Sequence, residues 1–97
     1  GIFYFNNERF WECHEALEGA WKQSIGDEKE LIQGLILVAA ALVHYQKDEN
    51  AICLSVLGRA LKKLHSKSGQ YHQINIDMVK QKTIKMIDEK KIFIFMF

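Results

Sequence analysis

The chain has no proline in its 97 residues, against a usual share of about 5%. Proline breaks the helical hydrogen-bond ladder, so its absence suits long helices joined by Gly, Asn and Asp turns. Cysteine is scarce as well. Cys13 and Cys53 are far apart and show no C-x-x-C spacing, which argues against a disulfide framework and a cysteine zinc site. Both lie in apolar stretches and read as small core residues of a reducing compartment. No apolar run reaches the ~20 residues of a membrane span. The start, GIFYFNNER, has no basic region ahead of an apolar run, so no secretory signal is visible and the cytoplasm is the expected compartment. A phosphate-cradling glycine loop, a Gly-flanked nucleophilic serine, internal repeats and low-complexity tracts are missing too, which removes the usual signatures of nucleotide and hydrolase chemistry.

What is present can fold. Apolar residues make up 48% and aromatics 11%, enough to bury a core and argue against disorder; the length fits one domain, 1–97. The net charge of +1 conceals a split. Residues 1–50 hold four Lys/Arg against nine Asp/Glu, and residues 51–97 hold nine against three. The two halves should therefore attract each other, and neither needs an outside partner to explain its sign.

The stretch Leu31 to Tyr45, LIQGLILVAAALVHY, has strongly polar side chains only at Gln33 and His44. A helix apolar on nearly every side is a buried one, so the expected fold is all-α: a compact antiparallel bundle of about four helices around a central second helix. Helical spacing puts Gln33, Leu37, Ala40 and His44 on one stripe. Gly34, Ala41 and Tyr45 form another, where a neighbouring backbone can come close. The expected helices span about 7–24, 28–47, 51–66 and 78–91, capped by Asn6, by an Asp27/Glu30 capping box, by Asn50 and by Asp77. Residues 70–76 read as a linker. The tail 92–97, IFIFMF, has an alternation that suits a strand, and its phenylalanines must be covered by the domain, a second copy or a partner.

On the first helix, Phe10, Cys13, Leu17, Ala20 and Ser24 form a core stripe. Beside it run Trp11, His14, Glu18 and Trp21, which places a carboxylate within reach of an imidazole, flanked by two indoles. If attraction outweighs desolvation, Glu18 would hold His14 oriented as a general acid. The plainer reading is a buried polar cluster with Gln33 that fixes helix packing. A metal ion at His14 and Glu18, with His44 or His72 as third ligand, is a sharper alternative. The second histidine of the zincin H-E-x-x-H and the repeated E-x-x-H of di-iron bundles are both missing, however, so no cofactor is expected. Glu12 and Glu15 read as a solvated acidic face, Cys13 as too buried for a nucleophile, and the lysines of the C-terminal half as a solvated surface without a nucleic-acid footprint.

The runs FNNERFWECHEALEGAW, LIQGLILVAAALVH and LGRALKKL resemble the bacterial and archaeal domain-of-unknown-function family 309 over residues 3 to about 64. Its hallmark H-x-x-x-E-x-x-W is met by His14, Glu18 and Trp21, with Glu12 and Glu15 alongside, and NID at Asn75–Asp77 is similar to its turn into the last helix. The resemblance implies a compact multi-helical domain and no particular activity, substrate or cofactor. The expected function is a non-enzymatic module that self-associates through the tail or helix faces, with no membrane or nucleic-acid partner. The alternative is a metal-dependent or acid/base enzyme using His14 and Glu18, with Glu15, Gln33 or His44 nearby.

Overall fold

Residues 2–97, which the computed structural model describes, form five helices and one short hairpin: α1 (Ile2–Asn6), α2 (Phe10–Lys22), α3 (Gly26–Gln46), α4 (Asn50–Leu64), β1 (Gln70–Tyr71), β2 (Ile74–Asn75) and α5 (Ile76–Glu89). The fold is all-α. Helix α3 is its axis: Ile32, Leu35, Val38, Ala39, Ala41 and Leu42 are at or near zero exposure, and α2 and α4 both pack along it. The three-residue connections on either side of α3 make the neighbours antiparallel. Accordingly, the Gln46 amide at the end of α3 donates to the Glu8 carbonyl just before α2, at 2.7 Å. No helix among the described residues is long and apolar enough to cross a membrane.

Gly34 sets the distance between α3 and α4. A Cβ there would stand 2.6 Å from Leu64 Cδ2 and 3.3 Å from Lys63 Cβ, so the missing side chain is what lets Leu64 bury completely. The small-residue stripe of the central helix thus works at this position as its spacing suggests. Phe10, Cys13 and Leu17 of α2 face the core, as do Cys53, Leu57, Ala60 and Leu64 of α4 and Val79, Thr83 and Met86 of α5. The wholly buried Thr83 hydroxyl donates to the Val79 carbonyl at 2.8 Å, which spares it an unpaired donor in the core. Ala20, placed on the core stripe by periodicity, is exposed; it lines an open groove with Ile32 of α3 and the hairpin residue Tyr71.

Several helix ends differ from the expectation. Asn6 caps no helix N-terminus: it closes α1, and Arg9 holds the N-cap position of α2 without a side-chain capping bond. Ile25 and Glu49 precede α3 and α4, again without side-chain caps, so neither the Asp27/Glu30 box nor an Asn50 cap forms. At α5 the cap is Asn75, whose Oδ1 accepts from the Met78 N–H at 3.0 Å. Asp77 instead accepts from the Gly69 N–H at 3.2 Å. The stretch read as a linker is an antiparallel hairpin pairing Gln70 with Asn75 and Tyr71 with Ile74. Its turn residues His72 and Gln73 both have positive φ, 47° and 71°, the backbone that a tight two-residue hairpin turn needs.

The tail is no strand; it runs without regular structure back over α1. The Phe97 ring stacks on Phe5 at 3.6 Å and Phe95 meets the same ring at 5.2 Å. The Phe97 N–H donates to Asn6 Oδ1 at 2.7 Å. Of the three coverings considered for the aromatic tail, the domain itself supplies one. This contact also explains α1: five residues are too few to hold a helix alone, but Phe5 is fully buried between Phe10 and the tail.

Candidate functional site

The residues singled out on α2 divide into two groups. His14, Glu15 and Glu18 gather their donor atoms within 4.8 Å of one another. His14 Nδ1 stands 3.8 Å from Glu18 Oε2 and 3.9 Å from Glu15 Oε1, too far for a hydrogen bond. That nitrogen is buried without any partner, and a buried ring nitrogen left unpaired is costly. The Trp11 indole lies parallel to the imidazole, at 5.5 Å and 9°. Glu15 joins the cluster even though helical periodicity places it toward the outer side of α2; its carboxylate reaches back around the helix.

The reading of a buried cluster flanked by two indoles needs correction. Trp11 is 59% exposed and the Glu15 and Glu18 side chains are 56% and 45% exposed, so the cluster lies at a helix edge that water reaches. Trp21 does not cover it from below. Its ring carries the Lys29 ammonium at 4.2 Å and belongs to a different cavity, shared with Gln33. Gln33 is therefore no partner of His14.

His44 does approach His14. Both line a cavity of about 270 Å³ with Trp11, Ala40, Val43 and Lys47. His44 Nδ1–H donates to Glu49 Oε1 at 2.7 Å, since a carboxylate can only accept. That leaves Nε2 as the nitrogen free for a third group. His72 sits at the hairpin turn, edge-on to Tyr71 at 4.5 Å, and lines a separate groove with Ala16, Leu17 and Ile32. It is not part of the cluster. Glu12 turns away to Arg9, accepting from Nε at 3.0 Å and Nη2 at 2.8 Å. Its carboxyl is held below the usual range by a backbone N–H and then by that guanidinium. Burial pushes the Cys13 and Cys53 thiols up to about 11, so neither is a nucleophile at neutral pH.

Periodicity alone does not show what lies across from Trp21. Lys29 and Gln33 of α3 face Arg59 and Lys63 of α4 around a cavity of about 500 Å³. A second cavity, of about 370 Å³, adjoins it through Glu30, Gln33, Arg59 and Lys63 and adds Leu37 and Lys62. The spacings 30, 33, 37 and 59, 62, 63 are single helix edges. They could have been read from sequence, but not the fact that the two edges meet.

These features define a small all-α domain with a histidine and two carboxylates clustered on the edge of its second helix. The chain belongs to the family described as "Domain of unknown function (DUF309)", whose family model matches residues 1–56. The match takes in the cluster on α2 and all of α3, and ends inside α4. Arg59, Lys62 and Lys63 lie beyond it. No curated protein and no solved structure matches the chain.

Proposed function

We propose that this is a metal-dependent domain that binds one divalent transition-metal cation through His14, Glu15 and Glu18. One observation carries the reading: a buried, unpartnered imidazole nitrogen within 4 Å of two carboxylates. A cation would satisfy that nitrogen and relieve the repulsion between the carboxylates together. With metal–ligand bonds of ~2.1 Å, neighbouring donors on one ion lie about 3.4 Å apart; His14 Nδ1 already stands 3.8 and 3.9 Å from the two carboxylates, and rotamer changes in the exposed Glu15 and Glu18 side chains would close the 4.8 Å spread of the donor set. An imidazole with two carboxylates suits Zn²⁺, Fe²⁺ or Mn²⁺. Three protein ligands leave a position for water or substrate, the arrangement of catalytic rather than structural metal sites. His44 and Lys47, which share the neighbouring cavity with His14, are the groups available to act on a bound molecule.

The test is titration of metal-free protein with Co²⁺, followed by visible absorbance, and with Zn²⁺ and Mn²⁺ by calorimetry. The expected result is one site per chain, lost in Glu18→Gln and His14→Gln and weakening as pH falls and the ligands protonate. Affinity unchanged by both substitutions, or no binding at millimolar metal, would reject the site.

The second reading is a non-enzymatic, self-associating module. It is favoured by Phe3 and Met96, 63% and 65% exposed in the segments that pack at the tail. Sedimentation would decide it: a dimer dissociated by Phe3→Ser supports this reading, and a monomer at high concentration ends it.

A further inference from the structure

We propose that the groove between α3 and α4 is a binding site for a small molecule carrying two or more phosphate groups. Two adjoining cavities share Glu30, Gln33, Arg59 and Lys63 as a common wall, and the larger has the volume of an ordinary ligand pocket. Lys29, Arg59, Lys62 and Lys63 line them, and none of the four forms an ion pair among the described residues. The lone carboxylate of the groove, Glu30, is answered from outside it: Lys67 Nζ stands 3.4 Å from Glu30 Oε1 and 3.5 Å from Asp27 Oδ1. The ion pairs between the acidic and basic halves of the chain are thus made by Lys67, and the four groove cations are left without a carboxylate partner.

Like charges are costly to hold together, and here the packing holds them. Gly34 admits Leu64 against α3, and this brings the Arg59/Lys63 edge of α4 beside the Glu30/Gln33 edge of α3. A multiply charged anion would relieve that repulsion. Gln33 adds an amide donor to the lining of both cavities, and Trp21, already under the Lys29 ammonium, adds an aromatic ring at one end. Two phosphate groups match a site whose cations extend over two connected cavities: Lys29 lines only the first and Lys62 only the second, so a single phosphate in either would leave one of them unanswered. An extended nucleic acid is the less favoured occupant, because Trp21 is the groove's single aromatic and successive bases need several aromatic faces to stack on.

The experiment is calorimetric titration of the full chain with pyrophosphate and with ATP, at low salt and with EDTA present, so that the outcome is independent of any metal at His14. The expected result is one site for each anion, weakened by added salt and weakened about tenfold by Arg59→Gln or Lys63→Gln. His14→Gln should leave it unchanged. Unchanged melting temperatures would show that the two groove variants are folded, as their exposed positions lead one to expect. In a Trp11→Phe background, ATP should also alter the fluorescence of Trp21. The proposal is overturned if neither anion binds, if both variants bind like the parent, or if single-stranded RNA binds more tightly than ATP with affinity that grows with length.

Discussion

The histidine cluster and the cations of the basic groove sit on different helices and are held by different means. His14, Glu15 and Glu18 are neighbours on α2 alone, so their spacing is a property of helical geometry and survives small movements of the bundle. The groove exists only because α3 and α4 meet at one distance, set where Leu64 fills the space at Gly34. The contrast teaches that a site confined to one helix can be half exposed and still keep its geometry. A site made by two helices, on the other hand, borrows its geometry from the core.

Loosening the core is the strongest way to separate the two. Leu64→Ala should cost about 2–5 kcal/mol, as for other wholly buried leucines, read by chemical denaturation. Below its melting temperature the variant should bind pyrophosphate more weakly and Co²⁺ as before. Equal losses at both sites would break the comparison.

Alkaline pH attacks the core from another side. Cys13 and Cys53 are raised from 9.0 to about 11 by burial, so the folded chain keeps thiol protons that the unfolded chain releases. Their contribution to stability is complete below pH 9 and declines as pH rises from about 9 to about 11. Denaturation midpoints across that window should fall, and fall less in Cys53→Ala. Native thiols should also resist alkylation at neutral pH.

Asn75→Ala should cost about 1 kcal/mol, the usual loss of an N-cap, with both sites intact because α5 lines neither. The smallest effect expected on stability is that of His14→Gln, below about 1 kcal/mol. The ring nitrogen has no hydrogen bond to lose, while metal binding disappears. A large drop in melting temperature with no metal bound by the parent would return His14 to the role of a packing group.

Much of the architecture was legible because burial leaves a periodic trace. The apolar Leu31–Tyr45 run became the core of α3, and the leucines of α4 became its inner seam. The helix ends were less legible. A cap depends on which side chain wins a given N–H, and Asn75 took the role expected of Asp77 once Asp77 was engaged by Gly69. The hairpin was hidden because His72–Gln73 lacks the Asn-Gly signature of its turn. Helix α1 was hidden because only the tail and Phe10 make so short a helix stable. At the site, the i, i+4 spacing of His14 and Glu18 put them on one face, but Glu15 arrived through its rotamer. Trp21 and Gln33 went to a groove whose far wall is some thirty residues along the chain. No local pattern encodes that meeting.

Gly34 therefore governs more than close packing. With only hydrogen at that position, the thickness of the core and the breadth of the cationic cleft are a single dimension. A methyl group added there would press on Leu64 and on the Lys63 Cβ and, without reaching a charged atom, would push the charges apart. Selecting for a roomier cleft through that position would be indistinguishable, at the level of the fold, from selecting for a weaker protein.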